Sequence, residues 1–299
     1  RFPQPSAQRP AIINSLAKDV PMKETYKGTL PFIASDIVRT AILMLVPGLS
    51  LWLGWQGTLL AVAGVCALCA ALAQPLRAAL DADRQPAQPL ALQALFKPIG
   101  MVLGHPSLRA LAACSFLFSA VQVSTTAYMV TYLNESLGMT LLAAGAALSV
   151  SQLAGVVGRI AWGAVADRGL GPRNTLMLLA TLMMAGSVLT ALLQPQWPTL
   201  LIWAIVALLG ASAIGWNGVY LATVARQAPP GQAGVATGGT LLFTFMGVVC
   251  GSPAFGALAG ASGSYRIAFA ALALPAALAL GLLVWRAAQA RREPAAPKP

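Results

Sequence analysis

Charge is what this sequence has least of. Only 9% of its 299 residues are Asp, Glu, Lys or Arg, eight of these are acidic, and His105 is its single histidine. Soluble domains carry roughly 25% charged residues, so the chain lacks the polar groups to cover a water-soluble fold of its length. The same shortage leaves little for metal binding or acid–base catalysis; no metal, no cofactor and no enzymatic activity is expected. A Gly-rich phosphate loop ending in Gly-Lys-Ser/Thr is also missing, which argues against ATP-driven transport, and Gly169-Leu-Gly171 lacks the third glycine and preceding strand of a dinucleotide site. Cys66, Cys69, Cys114 and Cys250 all sit in apolar runs. Cys66-Ala-Leu-Cys69 has redox or zinc spacing, but without a second pair or a nearby His it reads as two small apolar side chains. The chain starts at Arg1 rather than Met, with no signal peptide, and an earlier beginning is expected to be missing.

What the chain has in abundance is apolar surface. It is 58% hydrophobic, with a mean hydropathy of +0.73. No charge falls between Arg39 and Arg77, Arg109 and Glu135, Glu135 and Arg159, Arg173 and Arg226, Arg226 and Arg266, or Arg266 and Arg286. A spanning helix needs about 20 mostly apolar residues, whereas barrel strands alternate polar and apolar over about 10. Continuous Ala/Leu runs therefore predict an all-α, polytopic membrane bundle of about eight transmembrane helices. The expected spans are 31–53, 55–76, 108–133, 140–162, 174–194, 198–222, 233–259 and 264–286. Gly and Pro punctuate them, as at the turn expected over Gly54 to Gly57.

A net charge of +11 would suggest nucleic acid in a soluble protein. Here it reads as Lys and Arg held on one membrane face, and no nucleic acid partner is expected. Alternate-side counting leaves Arg266 almost alone on one face, so both termini are expected in the cytoplasm of a bacterial inner membrane. The organisation that follows is a cytoplasmic segment at 1–30, two spans at 31–76, a linker at 77–107, a six-helix bundle at 108–286 and a disordered tail at 287–299. Leu92 to Leu103 can form a short amphipathic helix on the membrane surface.

The loop after the fourth span carries the densest motif: Arg159, Gly163, Asp167, Arg168, Gly171 and Arg173. Glycines permit a tight turn and close helix approach. Asp167 can accept hydrogen bonds from a helix N-terminus or from Arg159 or Arg168, a polar lock that forms in one conformation and breaks in another. Here the chain resembles the major facilitator superfamily, whose signature is G-x-x-x-D-R/K-x-G-R/K-R/K. One extra residue between Arg168 and Gly171, and Asn174 in place of the last basic residue, resemble the weaker second copy. The stretches Gly215 to Gly231 and Gly234 to Gly256 are similar to that family's tenth and eleventh spans. The resemblance covers about 54–286, six helices of which would form the C-terminal bundle of a twelve-span transporter. By contrast, residues 12–53 resemble the C-terminal end of the large membrane subunit of TRAP dicarboxylate transporters, which implies a fusion near Trp52 to Trp55.

Asp36 and Arg39 share a helix face, either as a functional pair or, more simply, as side chains snorkelling to the interface. Polar residues deep in the spans are the other candidates. Ser and Thr can bond their own backbone, so the bulkier Gln122, Tyr128, Gln152, Trp216 and Asn217 are the proposed solute contacts, with interhelical hydrogen bonding as the alternative. The resemblance implies a secondary transporter, symporter or antiporter, for a small solute such as an organic anion, with a coupling ion as a further partner. A missing N-terminal half or a homodimer would have to supply the second bundle. A truncated or fused membrane protein without transport, and a TRAP-type permease component, are the competing readings.

Overall fold

The computed structural model describes residues 52–68, 71, 74 and 92–292. The expected segment 1–30, the first span up to residue 51 with Asp36 and Arg39, Cys69, most of 69–91 and the tail from 293 lie outside the described residues. The chain divides into two units, Arg1–Ala91 and Leu92–Pro299, with the boundary inside the stretch read as a linker.

In the first unit the described helix is α1 (Trp52–Leu68), apolar and 17 residues long. The turn expected over 54–57 is not a separate loop, because the helix runs through it. Gly54 nevertheless has φ 66°, and Thr58 Oγ1 donates to its carbonyl at 2.8 Å. A left-handed residue there bends the chain as the helix begins, which only glycine does without strain.

The second unit contains α2 (Leu92–Gly104), α3 (Pro106–Glu135), α4 (Leu141–Val165), a π turn (Ala166–Leu170), α5 (Gly171–Ala191), α6 (Thr199–Ala213), α7 (Asn217–Gln227), α8 (Ala233–Ser262), α9 (Tyr265–Ala271) and α10 (Ala273–Arg292). No strand occurs among the described residues. Five stretches are long and apolar enough to cross a membrane: Pro106–Glu135, Leu141–Ala191, Thr199–Gln227, Ala233–Ser262 and Tyr265–Gln289. The second holds 51 residues; at 1.5 Å per residue it would reach about 76 Å, over twice the roughly 30 Å hydrocarbon core. It turns back instead. Gly171 sits at φ 75° and ψ 157° beside the π turn, and α4 and α5 both pack on α6. Counting that stretch twice, the five make six crossings among the described residues.

Local chemistry sets these boundaries. Pro106 opens α3 at a position whose N–H would be unpaired in any case, and Thr140 caps α4 by accepting from the Ala143 amide at 3.3 Å. α10 continues to Arg292, so residues 287–292 are helical rather than the start of a disordered tail; Ala, Gln and Arg are strong helix formers. The helix expected near 92–103 is α2, and it lies tightly against α8, where a Cβ on Gly239 would fall 2.8 Å from the Pro98 carbonyl carbon.

Small residues bring the long helices together, as lipid-embedded helices require. A Cβ on Gly251 of α8 would sit 2.6 Å from Ala120 Cα of α3, and one on Gly158 of α4 would sit 2.7 Å from the Ala211 carbonyl of α6. Between these seams Phe118, Tyr132, Trp216, Tyr220 and Phe269 are fully buried. The ends are matched too. Arg286 near the end of α10 donates to Ser107 at the start of α3 at 3.3 Å, and Arg226 at the end of α7 meets Asp167 in the π turn at 3.1 Å. Arg109, Arg168, Arg173, Arg226 and Arg286 therefore share one end of the bundle, and Glu135 and Arg266 the other.

Candidate functional site

The third of the five stretches, Thr199–Gln227, is apolar enough to cross a membrane, yet it is not one continuous helix. It breaks at Ile214, Gly215 and Trp216, between α6 and α7. Gly215 is pressed against α4, where a Cβ would come 3.0 Å from Trp162 Cδ1 and 3.1 Å from the Gly158 carbonyl carbon. Trp162 in turn donates from Nε1 to the Ala211 carbonyl at 2.9 Å, pinning α4 to the last turns of α6. An interrupted helix exposes backbone polar groups at membrane depth, which is tolerated only where protein or a water-filled cavity receives them.

Three of the five expected solute contacts meet at this break. Gln122 Oε1 of α3 accepts from Trp216 Nε1 at 3.0 Å and from Asn217 Nδ2 at 3.5 Å. Asn217 Nδ2 also reaches the Ile214 carbonyl at 3.5 Å. The same carbonyl accepts from Arg159 Nε of α4 at 3.4 Å. The result is a polar line across three segments: Gln122, Trp216 with Asn217, the Ile214 carbonyl, and Arg159. The Trp216 ring is held edge-on by Phe118 at 5.5 Å and by Tyr220 at 5.1 Å. Tyr220, almost fully buried, has the hydroxyls of Ser115, Thr240 and Thr244 around its own, though none is in hydrogen-bonding geometry with it.

The remaining two candidates stand apart from that line. Tyr128 turns toward α8 and α9, stacked on Phe255 at 4.6 Å and 6.4 Å from Tyr265. Gln152 is half-buried on α4; seven residues before Arg159, it lies about two turns away on the same helix face. Several hydroxyls satisfy themselves locally, as Ser149 does on the Gly145 carbonyl at 3.1 Å and Thr240 on that of Thr237 at 3.0 Å. Thr125 and Ser124 on α3 and Ser151 on α4 differ, their oxygens being buried without a partner among the described residues.

At the basic end, the π turn places Asp167 against Arg226, with Nη2 to Oδ1 at 3.1 Å and both side chains more than half exposed. A helix N-terminus, Arg159 and Arg168 were the expected partners, and Arg226 was not among them. It pairs with Asp167 because α7 ends beside the α4–α5 turn, a long-range neighbour invisible to local spacing. The residue could have been suspected, since it is the only charge between Arg173 and Arg266. Gly163 and Gly171 flank the turn with open space around their Cα atoms, and Arg168 and Arg173 lie exposed beside it. The helix break had a sequence signal as well, in Gly210 and Gly215 within one apolar run.

The comparisons agree with this architecture. The profile of the Major Facilitator Superfamily matches residues 10–243, a span that takes in the stretch 12–53 expected to come from a TRAP subunit. No curated protein matches the chain. Among solved structures, the fucose:proton symporter FucP of E. coli, as a point variant, superposes with a TM-score of 0.55 at 19% identity, over 66% of this chain and 47% of that one. The likeness is one of fold, and the chain spans under half the length of that structure. With six apolar crossings, a basic turn of the signature type and a profile match over most of its length, the chain belongs to the Major Facilitator Superfamily of membrane transporters.

Proposed function

We propose that this chain forms the C-terminal bundle of a secondary active transporter that carries a small solute bearing an anionic group. The observation that carries this is the polar line at the α6–α7 break: Gln122 and Asn217 offer hydrogen bonds, the buried Trp216 orients the Gln122 amide, and Arg159 brings a cation to the Ile214 carbonyl. Transporter sites commonly use such interrupted helices near the bilayer midplane. Gln152, on the face of Arg159, and Tyr128, farther along α3, would meet a longer solute. Rocking against a second bundle would open the site to each side in turn, as symport or antiport with a coupling ion. That bundle comes from an N-terminal half or from a second copy.

The weaker form of the signature turn supports the C-terminal assignment. The five arginines at one bundle end support a cytoplasmic placement of that end in a bacterial inner membrane. For residues 12–53, likeness to a TRAP large subunit supports a fused first span, while a profile match beginning at residue 10 supports a facilitator span there. The adjoining upstream DNA separates these two readings.

The test is solute counterflow and ligand-induced thermal stabilisation with the full chain in vesicles, across organic anions and neutral polyols. Saturable stabilisation by an anion, weakened about tenfold or more in Arg159→Gln and in Gln122→Ala, is expected. Folded protein that neither binds nor exchanges any solute would establish the competing reading, a fused or truncated membrane protein without transport.

A further inference from the structure

We propose that the cleft between the start of α3 and the end of α10 binds the phosphate of an anionic phospholipid headgroup. The cleft is small, about 90 Å³, and Arg109, Trp285 and Arg286 line it together with Ala110, Ala113 and Leu282. None of its lining residues is acidic. Both guanidiniums are oriented by the protein. Arg286 is held within its own helix by Nη1 to Gln289 Oε1 at 2.7 Å and across the helix pair by Nη2 to Ser107 Oγ at 3.3 Å. Arg109 is held by Nη1 to the Leu103 carbonyl at 3.3 Å. Each guanidinium carries five N–H donors in a planar fork, so donors remain for a phosphate between them.

The walls distinguish a lipid from a soluble anion. Ala110, Ala113 and Leu282 continue the cleft along the apolar flank of α3 and α10, which suits acyl chains below a headgroup. Trp285, 54% exposed, carries the Arg286 guanidinium 6.0 Å from its ring centroid, and tryptophan at a helix end marks the level of the headgroups. The start of α3 adds favourable polarity. Its N-cap His105 makes no side-chain cap and Pro106 follows, so the positive end of the helix dipole at Ser107 and Leu108 favours an anion. Basic clefts between spanning helices are an established chemistry for anionic headgroups.

The experiment is native mass spectrometry of the purified full chain, titrated with phosphatidylglycerol or phosphatidylcholine. Wild type should retain phosphatidylglycerol preferentially. Arg109→Gln with Arg286→Gln should weaken that retention roughly 25-fold, about fivefold for each guanidinium lost, without altering phosphatidylcholine retention. Arg266→Gln, which removes one charge from the opposite bundle end, should change nothing. Should the double variant fail to fold, Arg109→Gln alone alters an exposed side chain and should show its fivefold share. Equal phosphatidylglycerol retention by wild type and variants overturns the proposal. Displacement of the lipid by inorganic phosphate overturns it in favour of a soluble anion.

Discussion

Gln122 shows how much one side chain can organise in a membrane. Its single carbonyl oxygen accepts from both Trp216 and Asn217, and Trp216 is fully buried. Replacing Gln122 with Leu strands a buried indole N–H, at a cost of about 1–3 kcal/mol. The Gln122→Leu variant should therefore unfold at lower temperature in detergent. Adding Trp216→Phe to it should recover part of the loss, because a donor and acceptor removed together leave nothing unpaired. A double variant less stable than Gln122→Leu by the full cost of Trp216→Phe alone would show that the bond has no such role. Gln122 and Asn217 were legible as candidates from polarity alone. Their bond was not, since residues 95 positions apart are joined only by folding.

At the scale of elements, the turn between α4 and α5 and the end of α7 form a latch. Arg226 and Asp167 are 52% and 65% exposed, so solvent screening leaves their ion pair worth about 0–1 kcal/mol to stability. Such a weak contact suits a gate better than a girder. Asp167→Asn should leave the unfolding midpoint almost unchanged and, within a two-bundle transporter, slow exchange between inward- and outward-facing states. Cysteines placed at both gates, labelled over time, report this; unchanged accessibility would defeat the idea. The signature residues were readable because charges are rare elsewhere in the apolar chain. The identity of the latch partner was not, because the Asp167–Arg226 contact spans 59 residues.

For the whole bundle, six crossings place the arginines of four separate connections and termini at one end, while Arg266 lies at the other. This asymmetry can be checked by labelling intact cells. Ser107→Cys and Arg226→Cys should react from the same side of the membrane and Ser264→Cys from the opposite one. Reaction of all three from one side would overturn the topology. The lipid-facing exterior needs no polar cover, which is why side chains such as Leu142, Leu200 and Val249 are exposed.

By itself the sequence determined that the chain is helical and membrane-embedded, and it located six of the eight expected crossings, those from 108 to 286, to within a few residues. Water and hydrocarbon impose those features locally: a run without charge must be buried in lipid, and its backbone must bond within itself. Tertiary structure alone decided where the α6–α7 stretch breaks, which arginine meets Asp167, and which of five polar candidates converge. Hydropathy averages over a whole span and cannot register one irregular turn inside it. Close packing at Gly158 and Gly215 opened that turn toward Gln122 and Arg159, and such contacts exist only once the helices have assembled.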